Sequence, residues 1–150
     1  MLGAASVAFA DARDIALILG GELEGDSSER RRAAAGAAFR AFPRLERICA
    51  TIRDADNVSR QRLSGVMLTR ERELCSRAHA LDGIVDRVGA GDAFAAGILH
   101  GLVAGYDDQR TLEFAVAAAA LKHSVRGDFN PVDLHDVEGL LAGPTADIRR

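Results

Sequence analysis

An α/β layered domain is the fold this sequence predicts, and three features point to it. Short apolar, β-branched runs alternate with longer stretches of helical periodicity. Two successive helices, at about residues 90–104 and 111–123, carry almost no polar face, so each needs a broad apolar surface to cover. Ahead of the first of them stands a glycine-rich bend, Val88-Gly89-Ala90-Gly91-Asp92, of the kind that turns an extended run into a helix. A mostly parallel sheet flanked by helices satisfies all three.

Taken in order, Ser6-Val7-Ala8-Phe9-Ala10 reads as a buried strand, followed at once by the N-cap Asp11 and a helix over 12–19 that Gly20-Gly21 ends. A strand so close to Met1 has no earlier partner in the chain, so we expect that sequence normally preceding it is absent. A polar connection over 22–28 leads to a helix over 30–42, started by Ser28 and Glu29. Arg30-Arg31-Arg32 point in different directions around one turn and read as a solvated face. Residues 47–52 form the second strand, and a polar loop is expected over 53–62.

Residues 63–69 and 73–76 pattern as two strands joined by the charged turn Arg70-Glu71-Arg72, a hairpin suited to a sheet edge. Leu81-Asp82-Gly83 turns the chain into Ile84-Val85-Asp86 and the bend. In the following helix Gly97 and Gly101, four apart, mark a side where another backbone can come close. Gly105-Tyr106-Asp107-Asp108 breaks the chain before the second apolar helix. A compact polar loop over 124–131 and an amphipathic helix over 132–141, closed by Gly143-Pro144, complete it.

The 150 residues suffice for one domain with a real core, and 48% hydrophobic and 27% charged residues with a net charge of −3 are a globular composition. Arginines balanced by acids, with one tyrosine and six phenylalanines, argue against nucleic-acid binding. The apolar runs are too short to span a bilayer and no basic leader opens the chain, so we expect a cytoplasmic protein without membrane contact. Cys49 and Cys75, in apolar surroundings, read as buried thiols, and the four scattered histidines give no zinc spacing.

The chemistry concentrates in the bend. Unpaired N–H groups at a helix start, together with the positive end of its dipole, favour a bound anion, and small residues let a phosphate approach the main chain. Asp92 would repel that anion unless it has a task beside it, such as taking a proton from an attacking hydroxyl. No Walker pattern is present, and Phe94 stands where a dinucleotide fingerprint has its third glycine. The competing reading, a tight turn with Asp92 as an ordinary helix-start acid, stays open on these residues alone.

Asp86-Arg87-Val88-Gly89-Ala90-Gly91-Asp92 resembles the second signature of the ribokinase-like (PfkB) carbohydrate kinases, with Arg87 in place of the usual threonine. The form Val85-Asp86-Arg87-Val88-Gly89-Ala90-Gly91-Asp92-Ala93-Phe94 is similar to the 2-keto-3-deoxygluconate kinase branch. So is Leu121-Lys122-His123-Ser124 followed by Gly127-Asp128-Phe129-Asn130. The resemblance covers about residues 51–150, with weaker similarity back to Val7. It implies a three-layer, Rossmann-like fold and ATP-dependent phosphorylation of a sugar or sugar acid, with 2-keto-3-deoxygluconate as first expectation and Mg²⁺ bridging the phosphates. Asp92 would be the base for the acceptor hydroxyl, and the N–H groups of Gly89, Ala90 and Gly91 would stabilise the transferring phosphoryl.

The resemblance also implies that Asp86 and Val88, with the loop from Ser124 to Gly127, lie beside the nucleotide and a monovalent cation such as K⁺. Asp128 would lie near the sugar. Asp86 and Asp128 have plain rivals as turn-capping carboxylates, and a structural role leads for Lys122 and His123 in a helix's last turn. Family members are about twice this length, so the chain reads as the carboxyl-terminal, nucleotide-binding and catalytic-base portion of a kinase, a truncated reading frame or a fragment. The amino-terminal half, with most sugar contacts and a lid, would be missing. Another sugar kinase of the family, or a non-catalytic remnant that binds nucleotide or a partner chain, are the alternatives. An exposed sheet edge leads us to expect self-association.

Overall fold

The computed structural model describes residues 2–21, 27–57, 60–81 and 83–143. Among the described residues, five strands and five α-helices follow one another as β1 (Val7–Phe9), α1 (Ala12–Leu19), α2 (Ser27–Ala41), β2 (Arg47–Asn57), β3 (Arg60–Leu68), β4 (Glu73–Cys75), β5 (His79–Leu81), α3 (Ala90–Val103), α4 (Asp108–Lys122) and α5 (Leu134–Ala142). The α/β class is as predicted, but the sheet is mixed where a mostly parallel one was expected. β1 pairs β2 in parallel, while β3 pairs both β4 and β5 antiparallel. The expected polar connection over 22–26 lies outside the described residues.

The chain divides into two compact units, the first being residues 1–50 with 66–75. Helix α1 has the predicted bounds because both ends are fixed locally. Asp11 accepts from the N–H groups of Arg13 and Asp14 while Asp14 bonds back to the Asp11 N–H, and Gly20 closes the helix at φ 69°. Helix α2 begins at Ser27, earlier than expected, and buries Ala34, Ala35, Ala38 and Phe39. Its arginines are not all solvated. Arg31 holds Glu73 of β4 at 3.0 Å, tying the helix to the predicted edge hairpin. Arg70, in the hairpin turn, donates to the carbonyls of Pro43 and Leu45 and lies over the Phe39 ring. Cys49 is buried, but Cys75 is exposed on edge strand β4, against expectation.

The second unit, residues 51–65 with 76–150, carries the bend. Residues 53–57 and 60–62 form strand where a loop was expected. β2 runs on to Asn57 and β3 starts at Arg60, and the two are neighbours in the strand order. Helices α3 and α4 pack through Gly97 and Gly101, as their spacing predicted. A Cβ on Gly97 would fall 2.5 Å from Ala115 Cα, and one on Gly101 would fall 3.0 Å from Thr111 Cα. Helix α5, capped by Asp133, adds Val137 to Phe114, Ala117 and Ala118 of α4. Among the described residues no helix is long and apolar enough to cross a membrane.

Candidate active site

Ile84-Val85-Asp86 is extended but is not a strand. The N–H groups of Val85 and Asp86 both donate to the His123 carbonyl, at 2.9 and 3.2 Å, so the segment is held by the end of α4 rather than by a neighbouring strand. The Asp86 carboxylate then shapes the bend. One oxygen accepts from the N–H groups of Arg87 and Val88 at 2.7 and 3.0 Å, and the other accepts from Gly127 at 2.8 Å. These bonds, the Val88 and Gly127 ones foremost, hold the Asp86 carboxyl below the usual carboxylate range, and nearby Lys122 acts in the same direction.

Gly89 caps α3 at φ 77°, a conformation that an L side chain rarely adopts. Space is tight as well. A Cβ there would stand 3.0 Å from the Asp128 carbonyl oxygen and 3.2 Å from Lys122 Cε. The N–H groups of Gly89, Ala90, Gly91 and Asp92 precede the first intrahelical bond, which Ala93 makes to Gly89 at 2.9 Å. Ala90 donates at 3.3 Å to the Arg87 carbonyl, a long bond that a stronger acceptor can displace. Gly91 and Asp92 are exposed in the first turn of α3, at the positive end of its dipole.

The loop after α4 closes the other side. Ser124 turns its hydroxyl onto the Leu121 carbonyl at 2.7 Å, finishing the helix. Gly127, at φ 80°, brings its N–H to Asp86, and Asp128 lies exposed beside Gly89. Val88 reaches the cluster through its N–H, its side chain being exposed. Of the residues singled out from sequence, Asp86, Val88, Gly89, Gly127 and Asp128 are brought together, with Ala90, Gly91 and Asp92 in the adjoining turn. Ser124 is turned away toward α4.

Two basic side chains flank this cluster, Arg87, which stands in place of the usual threonine, and Arg53, which sequence reading left aside. Arg87 donates to Gln61 at 3.0 Å along a cleft of about 670 Å³, lined also by Leu81, Ile84, Val85 and Asp86. Arg53, from the segment read as loop, comes within 3.3 Å of His123 Nε2.

His123 is buried. Its Nδ1 donates to the Ala119 carbonyl at 2.7 Å, which leaves Nε2 to accept from Arg53. Burial lowers its pKa most, the Ala119 bond opposes this, and Arg53, Arg87 and Lys122 lower it further. His79 is lowered too, first by burial and then by Arg77, with Glu113 opposing. A histidine whose folded pKa is depressed stabilises the fold fully above the unfolded value of 6.5, and that contribution is lost as pH falls below it. The thermal midpoint should therefore drop as pH is lowered from 7.5 to about 5.5. Asp86 weakens the fold only in the separate window below 3.8. A His123→Gln chain should show a shallower decline above pH 5.5, and a wild-type midpoint that stays flat there would contradict the neutral, buried histidines.

Residues 67–134 match the pfkB family of carbohydrate kinases. Over 66 residues this chain is 42% identical to the 2-dehydro-3-deoxygalactonokinase of Haloferax volcanii, covering 44% of this chain and 21% of that protein. Over 57 residues it is 42% identical to the ATP-dependent 6-phosphofructokinase of Thermoanaerobacterium thermosaccharolyticum, covering 38% of this chain and 17% of that one. The crystal structure of 2-dehydro-3-deoxygluconokinase from Thermotoga maritima superposes with a TM-score of 0.82 at 31% identity, covering 95% of this chain and 43% of that one. The chain thus has the ribokinase-like α/β fold and spans less than half the length of each of these relatives.

Proposed function

We propose that this chain is the nucleotide-binding and catalytic-base portion of a kinase that transfers the γ-phosphoryl of ATP to the 6-hydroxyl of 2-keto-3-deoxygluconate. The observation that carries the reading is the turn from Gly89 to Asp92, where the helix-start N–H groups of α3 and the exposed residue Asp92 occur in one turn. Gly89, Ala90 and Gly91 would hold the phosphoryl oxygens where charge builds during transfer, and Asp92 would take the proton of the acceptor hydroxyl. Asp86, Val88 and Gly127 would fix the bend beside the nucleotide, and Asp128 would stand toward the sugar acid. Mg²⁺ draws most of its oxygens from phosphates and water, and when bound it neutralises phosphate charge.

The acceptor follows from similarity to the 2-dehydro-3-deoxygluconokinase and 2-dehydro-3-deoxygalactonokinase relatives. Similarity at the same 42% identity, over a shorter stretch, to a 6-phosphofructokinase favours a second reading, a pfkB kinase for a different sugar. Calorimetry with ATP and a phosphoryl-transfer assay test both readings. They are best run on this chain alone and on the chain joined to the amino-terminal portion of the Thermotoga maritima relative. We expect ATP binding in both forms, and turnover with 2-keto-3-deoxygluconate above that with neutral sugars or fructose 6-phosphate. Preference for a neutral sugar or a sugar phosphate would select the second reading. ATP binding without transfer in either form would reduce the chain to a nucleotide-binding or partner-binding remnant.

A further inference from the structure

The resemblance to the pfkB kinases implies a monovalent cation among Asp86, Val88 and the loop from Ser124 to Gly127, and the residues present do not fit a free one. Lys122, the last residue of α4, is 0% exposed although it carries an ammonium group. A charge so placed is tolerable only when surrounding oxygens replace its water. Lys122 Nζ takes two of them from the loop itself, the Val125 carbonyl at 3.1 Å and the Gly127 carbonyl at 2.6 Å. It also sits at the carbonyl end of α4, where a positive charge is favoured. Both oxygens of Asp86 already accept N–H bonds, so this carboxylate has less to offer a free ion.

We infer that Lys122 is the resident cation of the bend, supplying from within the chain the positive charge that the family resemblance assigns to a free ion. Three fixed points depend on it. Its ammonium sets the Gly127 carbonyl, the Gly127 N–H sets Asp86, and its stem lies where any side chain on Gly89 would have to go. Lys122 is thus a positioning residue. It acts on the cradle through Asp86 and Gly89 without facing the phosphoryl group.

The test uses the whole chain without nucleotide or sugar, so its outcome is independent of the kinase reading. Thermal midpoints and Gly127 amide exchange are compared at equal ionic strength in potassium, methylammonium and tetramethylammonium chloride. The wild-type midpoint should agree within about 1 °C across the three salts, with Gly127 exchange unchanged. Lys122→Ala should lose about 5 °C or more in tetramethylammonium and recover saturably in K⁺ or methylammonium, as a bound ligand stabilises a fold. Saturable stabilisation of the wild type by K⁺, or K⁺-dependent protection of the Gly127 amide, overturns the inference even if no variant folds. So does a Lys122→Ala chain that keeps its midpoint, or that loses it with no recovery specific to the small cations.

Discussion

Alanine at position 97 should cost about 2 kcal/mol, whereas alanine at position 139 should gain about 0.5–1 kcal/mol, although both replace a helical glycine. Taken alone, helix propensity favours both changes. What separates them is the neighbour. A Cβ on Gly139 meets nothing within 4 Å, while one on Gly97 falls 2.5 Å from Ala115 Cα and 3.0 Å from Ala115 Cβ. The atom in the way belongs to the α4 backbone, so relief requires α3 and α4 to separate. Separation would loosen the packing of Phe94 and Ile98 on one helix and of Leu112 and Val116 on the other, all of them buried. Denaturant unfolding of the two variants beside wild type measures the difference. A Gly97→Ala chain as stable as Gly139→Ala would mean that the helices are not held backbone to backbone.

That contact was legible in the sequence because both of its causes are local. Two glycines four residues apart fall on one helix face, and a helix without a polar side must use that face. Helix α1 was legible for a similar reason, since Asp11 and Gly20 cap it within the segment itself. The strand continuations over 53–57 and 60–62 were not. Strand pairing is fixed by a neighbour elsewhere in the chain, and a charged run such as Arg53-Asp54 offers no apolar alternation to announce it. Ile84-Val85-Asp86 is β-branched in composition yet is not a strand, because the N–H groups of Val85 and Asp86 both go to the single carbonyl of His123.

The site divides along the same line. The glycine bend and its carboxylates could be read from residue type and spacing. The burial of Lys122 could not, because its acceptors exist only once Gly127 takes a positive φ and folds the loop back over the helix end.

Asp92→Asn should lower phosphoryl transfer about 10²–10⁴-fold while ATP binding is unchanged or tightened. The amide keeps the size and most of the helix-start geometry of the acid but cannot accept the hydroxyl proton. It also removes a negative charge beside an anion site, which relieves repulsion of the phosphates. Asp86→Asn provides the contrast. The Asp86 oxygens accept three backbone N–H bonds, and an amide turns a donor toward some of them, so the bend itself should loosen and ATP affinity should fall along with turnover. A turnover defect without a binding defect therefore belongs to a base, and a joint defect belongs to a residue that shapes the cradle. If Asp92 were only a helix-start acid, asparagine would cost a few tenths of a kcal/mol of stability and leave transfer nearly intact. Comparable rates for Asp92→Asn and the unsubstituted protein, in whichever form transfers phosphate, would remove Asp92 from the chemistry and reduce the bend to an anion site.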